Sequence, residues 1–191
     1  MSSSGDDVAA QPIACRTERV EDCDRVTEIV RRAFDDQRVV DLVAALRASP
    51  DWVADLSLLA SVDDEPVAFI AFSKGLVDAP RRLVDVLVLS PVAVLPAFQG
   101  RGVATALIWH GIAVARHRQE PLVFVEGDPG FYARFGFMPA GDLGFRRPSL
   151  RIPPAAFQIL ALKAPTPSLT GTLVYPRAFW DHDCVGLRDG S

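Results

Sequence analysis

The segment that most constrains this chain runs Val92-Ala93-Val94-Leu95-Pro96-Ala97-Phe98-Gln99-Gly100-Arg101-Gly102-Val103-Ala104-Thr105. A β-suited run meets a proline, two glycines flank one arginine, and Val103, Ala106, Leu107, His110 and Val114 then recur at i, i+3, i+4. The recurrence predicts a helix, and the run ahead of it predicts a strand. A strand passing through a glycine turn straight into a helix belongs to a mixed α/β domain. The arrangement also has a chemical consequence. The first N–H groups of a helix lack intrahelical partners and point outward. Glycines let a ligand approach the backbone, and the dipole adds roughly 0.3–1 kcal/mol for an anion at an exposed site. The segment is a candidate pyrophosphate site, provided several donors act together.

The pattern narrows the ligand. GxxxxGK[ST] is absent, since neither Lys74 nor Lys163 follows a suitable glycine run. A dinucleotide fingerprint needs a third glycine, but Gly100-Arg101-Gly102 is followed by Val103, Ala104 and Thr105. Glu120 and Glu126 stand near the distance of a ribose-binding acid, which keeps a nucleotide-binding oxidoreductase as a weak competitor. The pattern Q-x-x-G-x-G/A is met in full by Gln99, Gly102 and Ala104.

Elsewhere, Val26, Ile29, Val30, Ala33 and Phe34 predict one amphipathic helix, and Val39, Leu42, Val43 and Leu46 a second, with Pro50 beyond its end. Two strands, over 56–62 and 66–72, flank the hairpin signal Asp63-Asp64-Glu65. A long strand over 84–95 is interrupted at Ser90-Pro91, where the missing N–H demands a bulge or a lost partner. Further strands are expected over 122–126 and 157–162, with a short helix over 131–135 ending at Gly136. A β-like run, 171–175, and the pair Phe179-Trp180 follow. We divide the chain into a flexible leader (1–12), one mixed α/β domain (13–163) and an extension (164–191) that packs on the domain or at a homodimer contact.

Composition excludes several classes. With 49% hydrophobic residues in 191, the chain can bury a real core and is not wholly disordered. A net charge of -4 argues against nucleic acid as partner, yet permits one small phosphorylated ligand. Cys15, Cys23 and Cys184 are odd in number and widely spaced, which argues against a disulfide framework or a zinc site. The start, MSSSGDDVAAQP, has no charged n-region or apolar h-region, and no apolar run reaches the roughly 18 residues of a membrane span. The expectation is a soluble, cytoplasmic protein with no membrane partner.

With Gln99 to Ala104, the preceding strand VAVLP and the later EGDPGFYARFGF (Glu126 to Phe137), the chain resembles the GCN5-related N-acetyltransferase (GNAT) superfamily. The segment GDPGFYARFGF and the run RIPPAAFQILAL resemble its small bacterial predicted acetyltransferases. The resemblance covers roughly residues 13 to 163 and implies a central mixed, splayed β-sheet flanked by helices. It implies acetyl-CoA as co-substrate, no metal, and acetyl transfer to a primary amine on a small molecule or peptide. By the same resemblance, the backbone of Val92, Ala93 and Val94 pairs with the pantetheine arm. The amides of Gln99, Gly100, Arg101, Gly102, Val103, Ala104 and Thr105 take the pyrophosphate, with Arg101 adding charge. Tyr132 matches the tyrosine placed beside the sulfur.

Aminolysis of a thioester needs a neutral amine, a donor for the oxyanion and a proton for the departing sulfur. A phenol stays protonated at neutral pH, which suits Tyr132. A backbone N–H near Val92 can polarise the carbonyl. Glu126 is the first candidate base and Asp85 the second. A non-catalytic acyl-CoA-binding regulatory domain is the alternative; it would keep the glycine loop but need no Tyr132. His110 lies on the apolar face of its helix and reads as a buried or boundary histidine. Asp181-His182-Asp183-Cys184 has poor metal spacing, and the pairs Arg31-Arg32, Arg81-Arg82 and Arg146-Arg147 read as solvated faces.

Overall fold

The computed structural model describes residues 12–163 and 169–186. The expected leader, apart from Pro12, lies outside the described residues, as do parts of the extension. Strand β1 (Ile13–Thr17) is followed by helices α1 (Cys23–Phe34) and α2 (Gln37–Arg47). Helix α1 stops at Asp35, whose φ of 51° takes the left-handed region. Asp36 then opens α2 by accepting the Arg38 N–H.

Strands β2 (Trp52–Val62) and β3 (Glu65–Ala79) form a hairpin. Its turn is Asp63-Asp64, with φ of 50° and 63°, the pair of positive values that a two-residue loop needs to match strand twist. β4 (Arg82–Val94) returns antiparallel to β3. α3 (Val103–Ala115), β5 (Leu122–Glu126) and α4 (Pro129–Tyr132) follow. The short strands β6 (Met138–Pro139) and β7 (Phe145–Arg146) precede β8 (Phe157–Ala161), and β9 (Gly171–Val174) and α5 (Arg177–Asp181) end the described chain.

Every residue from Val67 to Phe72 is buried, because both faces of β3 are covered. Ile70 and Phe72 meet Gly111 of α3 on one face. Phe69, on the alternate face, lies 6.0 Å beneath the Arg47 guanidinium of α2. The sheet order is β1-β2-β3-β4-β5-β8-β6, mixed in sense, because β4 and β5 run parallel while their other neighbours on this path are antiparallel. This is the mixed, helix-flanked sheet expected from the sequence.

β3 is longer than the strand expected over 66–72. Ser73-Lys74-Gly75 resembles a strand end, but the chain continues, pairing Leu76 with Asp85 on one side and with Val174 on the other. β9 thus occupies the lane that β2 leaves at Trp52, whose partner is Ser73. Among the described residues, no helix is long and apolar enough to cross a membrane.

Candidate active site

The site begins where β4 and β5 part. They pair only at Leu87↔Val123 and Val88↔Phe124. Beyond that point β4 carries the cis Ser90-Pro91 peptide, and its register against β3 slips: Phe72 faces Leu89 while Ile70 faces Val92. Three steps on β4 oppose two on β3, which is a bulge of one residue. Val92, Ala93 and Val94 stay paired with Ile70, Phe69 and Ala68 but have no partners on β5. β5 meanwhile runs on to Glu126, held to Phe157 of β8. The result is a wedge with one free strand edge.

The free edge leads into the glycine loop. Gln99 Nε2 donates to the Val94 carbonyl at 3.1 Å, so this side chain ties the loop back to the strand. Gly100 and Gly102 take φ of 73° and 81° with open space where a Cβ would stand, so backbone conformation demands glycine here. Gly102 is the N-cap of α3, and the first helical bond runs from the Ala106 N–H to its carbonyl at 2.9 Å. The N–H groups of Val103, Ala104 and Thr105 precede that bond. No acidic side chain stands in this first turn, so the positive end of the helix is uncompensated. Arg101 sits at the rim with its guanidinium 5.5 Å from the centre of the Phe98 ring.

Tyr132 ends α4, which opens with the Asp128 carboxylate accepting the Gly130 N–H at 2.9 Å. Its ring lies against Gly127, where a Cβ would stand 2.2 Å from Cε2, and edge-on to Phe131 and Phe137. Only 7% of the residue is exposed, and its hydroxyl has no hydrogen-bond partner among the described residues. Burial pushes this phenol up to about 12. It is therefore a protonated donor with its hydrogen bond still to make.

Glu126 is half-buried at the end of β5. Its Oε1 accepts the Tyr175 hydroxyl at 2.7 Å and its Oε2 the Gly186 N–H at 3.1 Å. Burial raises its carboxyl above the ordinary value, while these two bonds and the charge of Arg151 pull it partly back. Glu126, Ser90, Pro91 and Asp128 line a cleft of about 600 Å³ together with Phe34, Val39 and Cys184.

Of the sequence candidates, the structure brings the free edge, the glycine loop and Glu126 to one end of the parting strands, with the Tyr132 ring on Gly127 beside Glu126. Asp85 is set aside: it is exposed and lies five residues before Ser90, toward the opposite end of β4. There it lines a separate concavity of about 570 Å³ with Lys74, Arg118 and Glu120. Arg118 is engaged by Asp55 and Glu120 at 2.9 and 3.0 Å. Arg147 departs from the expected solvated pair, because its Nε is buried with no hydrogen-bond partner among the described residues. Among the described residues, no group of three or more His, Cys, Asp or Glu is placed to hold a metal. Sequence reasoning missed Tyr175, because its partner lies 49 residues away and no local pattern encodes that meeting.

The chain is similar to known proteins over most of its length. Residues 23–137 match the model of the acetyltransferase (GNAT) family. The chain is 37% identical over 158 residues to the uncharacterized N-acetyltransferase YjhQ of Escherichia coli, an alignment spanning 78% of this chain and 84% of that protein. Among solved structures it is similar to the GNAT family N-acetyltransferase YhbS of Escherichia coli in complex with CoA, with a TM-score of 0.80, 27% identity and coverage of 89% and 93% of the two chains. It is also similar to a GNAT family acetyltransferase of Brucella melitensis in complex with acetyl-CoA, with a TM-score of 0.71, 30% identity and coverage of 88% and 99%.

Proposed function

Because the chain belongs to the acetyltransferase (GNAT) family, we propose that it moves an acetyl group from acetyl-CoA to a primary amine by direct aminolysis of the thioester, in the cytoplasm. The observation that carries this reading is the unpaired edge of Val92 to Val94 leading directly onto the uncapped start of α3. An extended arm and a pyrophosphate fit that continuous backbone surface, and nothing in it requires a metal.

Acetyl-CoA supplies the activated acetyl thioester. Val92, Ala93 and Val94 offer backbone groups to the pantetheine arm as to an added strand. The amides from Gln99 to Thr105, with Arg101, take the pyrophosphate. A backbone N–H near Val92 polarises the carbonyl. Glu126 faces the cleft and accepts one proton from the acceptor's ammonium, leaving a neutral amine to attack. As the C–N bond forms and the C–S bond breaks, Tyr132 gives its proton to the sulfur while the nitrogen sheds its second. That second proton restores the Tyr132 phenol and Glu126 releases the first to water, so that ammonium and acetyl-CoA give amide, CoA thiol and one proton.

Calorimetric titration with acetyl-CoA tests the reading, with NADH and ATP as controls, followed by transfer to a panel of small amines and peptide N-termini. The wild type binds acetyl-CoA selectively. Tyr132→Phe binds it equally well but turns over roughly 10²–10⁴-fold more slowly. Folded wild-type protein that ignores acetyl-CoA would overturn the proposal. Unchanged turnover in Tyr132→Phe would remove the phenol from the mechanism.

A further inference from the structure

Glu126 is held from a part of the chain that the family match, ending at residue 137, does not reach. Tyr175 follows β9, and its ring, only 5% exposed, stacks on Phe179 of α5 at 5.0 Å and 23°. That packing fixes the direction of the hydroxyl that donates to Glu126 Oε1 at 2.7 Å. The donor to Oε2 is equally constrained. Gly186 has a φ of +63°, and a Cβ there would stand 2.8 Å from the backbone carbonyl carbon of Arg151, so glycine alone brings this N–H into place. Arg151 Nη1 donates to Asp183 at 2.9 Å and ties the same segment down. A carboxylate with one fixed donor on each oxygen keeps its remaining lone pairs for the cleft.

We propose that Tyr175 is a positioning residue for acetyl transfer: it aims the Glu126 carboxylate at the acceptor amine and holds it in the proton-accepting form. The inference rests on the reading of Glu126 as the base. Other charged groups bear on the same carboxylate. Arg151 approaches it from the loop before β8. Asp36, the N-cap of α2, Arg38 of α2 and Asp128 of the α4 entry line the same cleft. Asp183 and Cys184 complete the C-terminal wall. Asp36 and Asp183 are paired with Arg38 at 2.8 and 3.6 Å, contacts in which the Tyr175 hydroxyl takes no part. Deleting that hydroxyl therefore changes one donor and leaves the surrounding charge in place.

The test is carbon-13 titration of the glutamate carboxyls in full-length protein, with Glu126→Gln identifying the Glu126 resonance. Loss of a hydrogen bond to the charged form moves the Glu126 midpoint upward in Tyr175→Phe, by about half to one pH unit. Glu120, paired with Arg118 at 3.0 Å, serves as the reference that does not move. In the wild type the Tyr175 Cζ resonance shifts with the same midpoint as Glu126, a measurement that needs no variant. With an amine that is turned over, the acid limb of kcat/KM in Tyr175→Phe moves to higher pH by the same amount, while acetyl-CoA affinity stays unchanged. A Glu126 midpoint indifferent to Tyr175→Phe, or a Tyr175 resonance blind to Glu126, would overturn the positioning role. Failure to bind acetyl-CoA would instead overturn the acetyltransferase reading and leave the titration result standing.

Discussion

Asp22 fastens the first strand to the first helix. It is 7% exposed, and its two oxygens accept from Arg16 at 2.6 and 2.8 Å, while the Arg19 N–H adds a third bond at 2.8 Å. These donors, Arg16 first, lower its carboxyl from an ordinary 3.8 to about 2. The folded state thus binds this proton more weakly than the unfolded chain. The stabilisation is present in full above pH 3.8 and disappears as pH falls through 2. Asp22→Asn is therefore expected to lose about 1.5–3 kcal/mol at pH 7. Urea unfolding at a series of pH values checks this: the gap between wild type and variant closes in acid, and a constant gap would show that Asp22 acts through something other than its charge.

At the scale of elements, the contact that sets α3 on the sheet is Gly111. A Cβ there would meet Phe72 Cε2 at 2.7 Å and Ile70 Cδ1 at 3.0 Å. Both neighbours are fully buried, so neither can swing away. Alanine has the higher helix propensity, by about 0.8–1 kcal/mol, whereas overpacking costs about 1–3 kcal/mol. Packing wins, and Gly111→Ala is expected to lower the melting temperature; a rise would mean that α3 shifts without strain. The elements most legible in the sequence are those with local causes. The i, i+3, i+4 faces of α1 and α2, the Asp63-Asp64 turn, and the Gly100 and Gly102 positions each follow from a few adjacent residues. So does the interruption at Ser90-Pro91, because proline carries its own missing donor. Partners distant in the chain were not legible. Nothing near Asp85 says that the cleft lies toward the other end of its strand, and nothing near Glu126 says that Tyr175 and Gly186 will bind its two oxygens.

The whole molecule shows the same dependence on distant pairing in its C-terminal segment. A division at residue 163 treats residues 164–191 as an addition to a complete domain. Yet Thr172, Leu173 and Val174 pair with Asp78, Val77 and Leu76, filling the lane beside β3 that β2 does not reach. Leu173, Tyr175, Phe179 and Val185 are all buried, in one cluster with Leu42 and Leu46 of α2 and Phe145 of β7. Burying four such side chains stabilises the fold by roughly 6–12 kcal/mol as an upper figure. That is comparable with the whole stability of an ordinary domain, about 5–15 kcal/mol. Deletion of residues 164–191 would also bare the β3 edge from Leu76 to Asp78, a template for pairing between chains. We therefore expect the truncated chain to aggregate or to lose its cooperative melting transition, before any question of acetyl transfer arises. Calorimetric melting and sedimentation of the truncated and full-length proteins check this. A soluble truncated chain that melts near the full-length temperature would show that residues 13–163 fold on their own and that the segment serves the cleft alone.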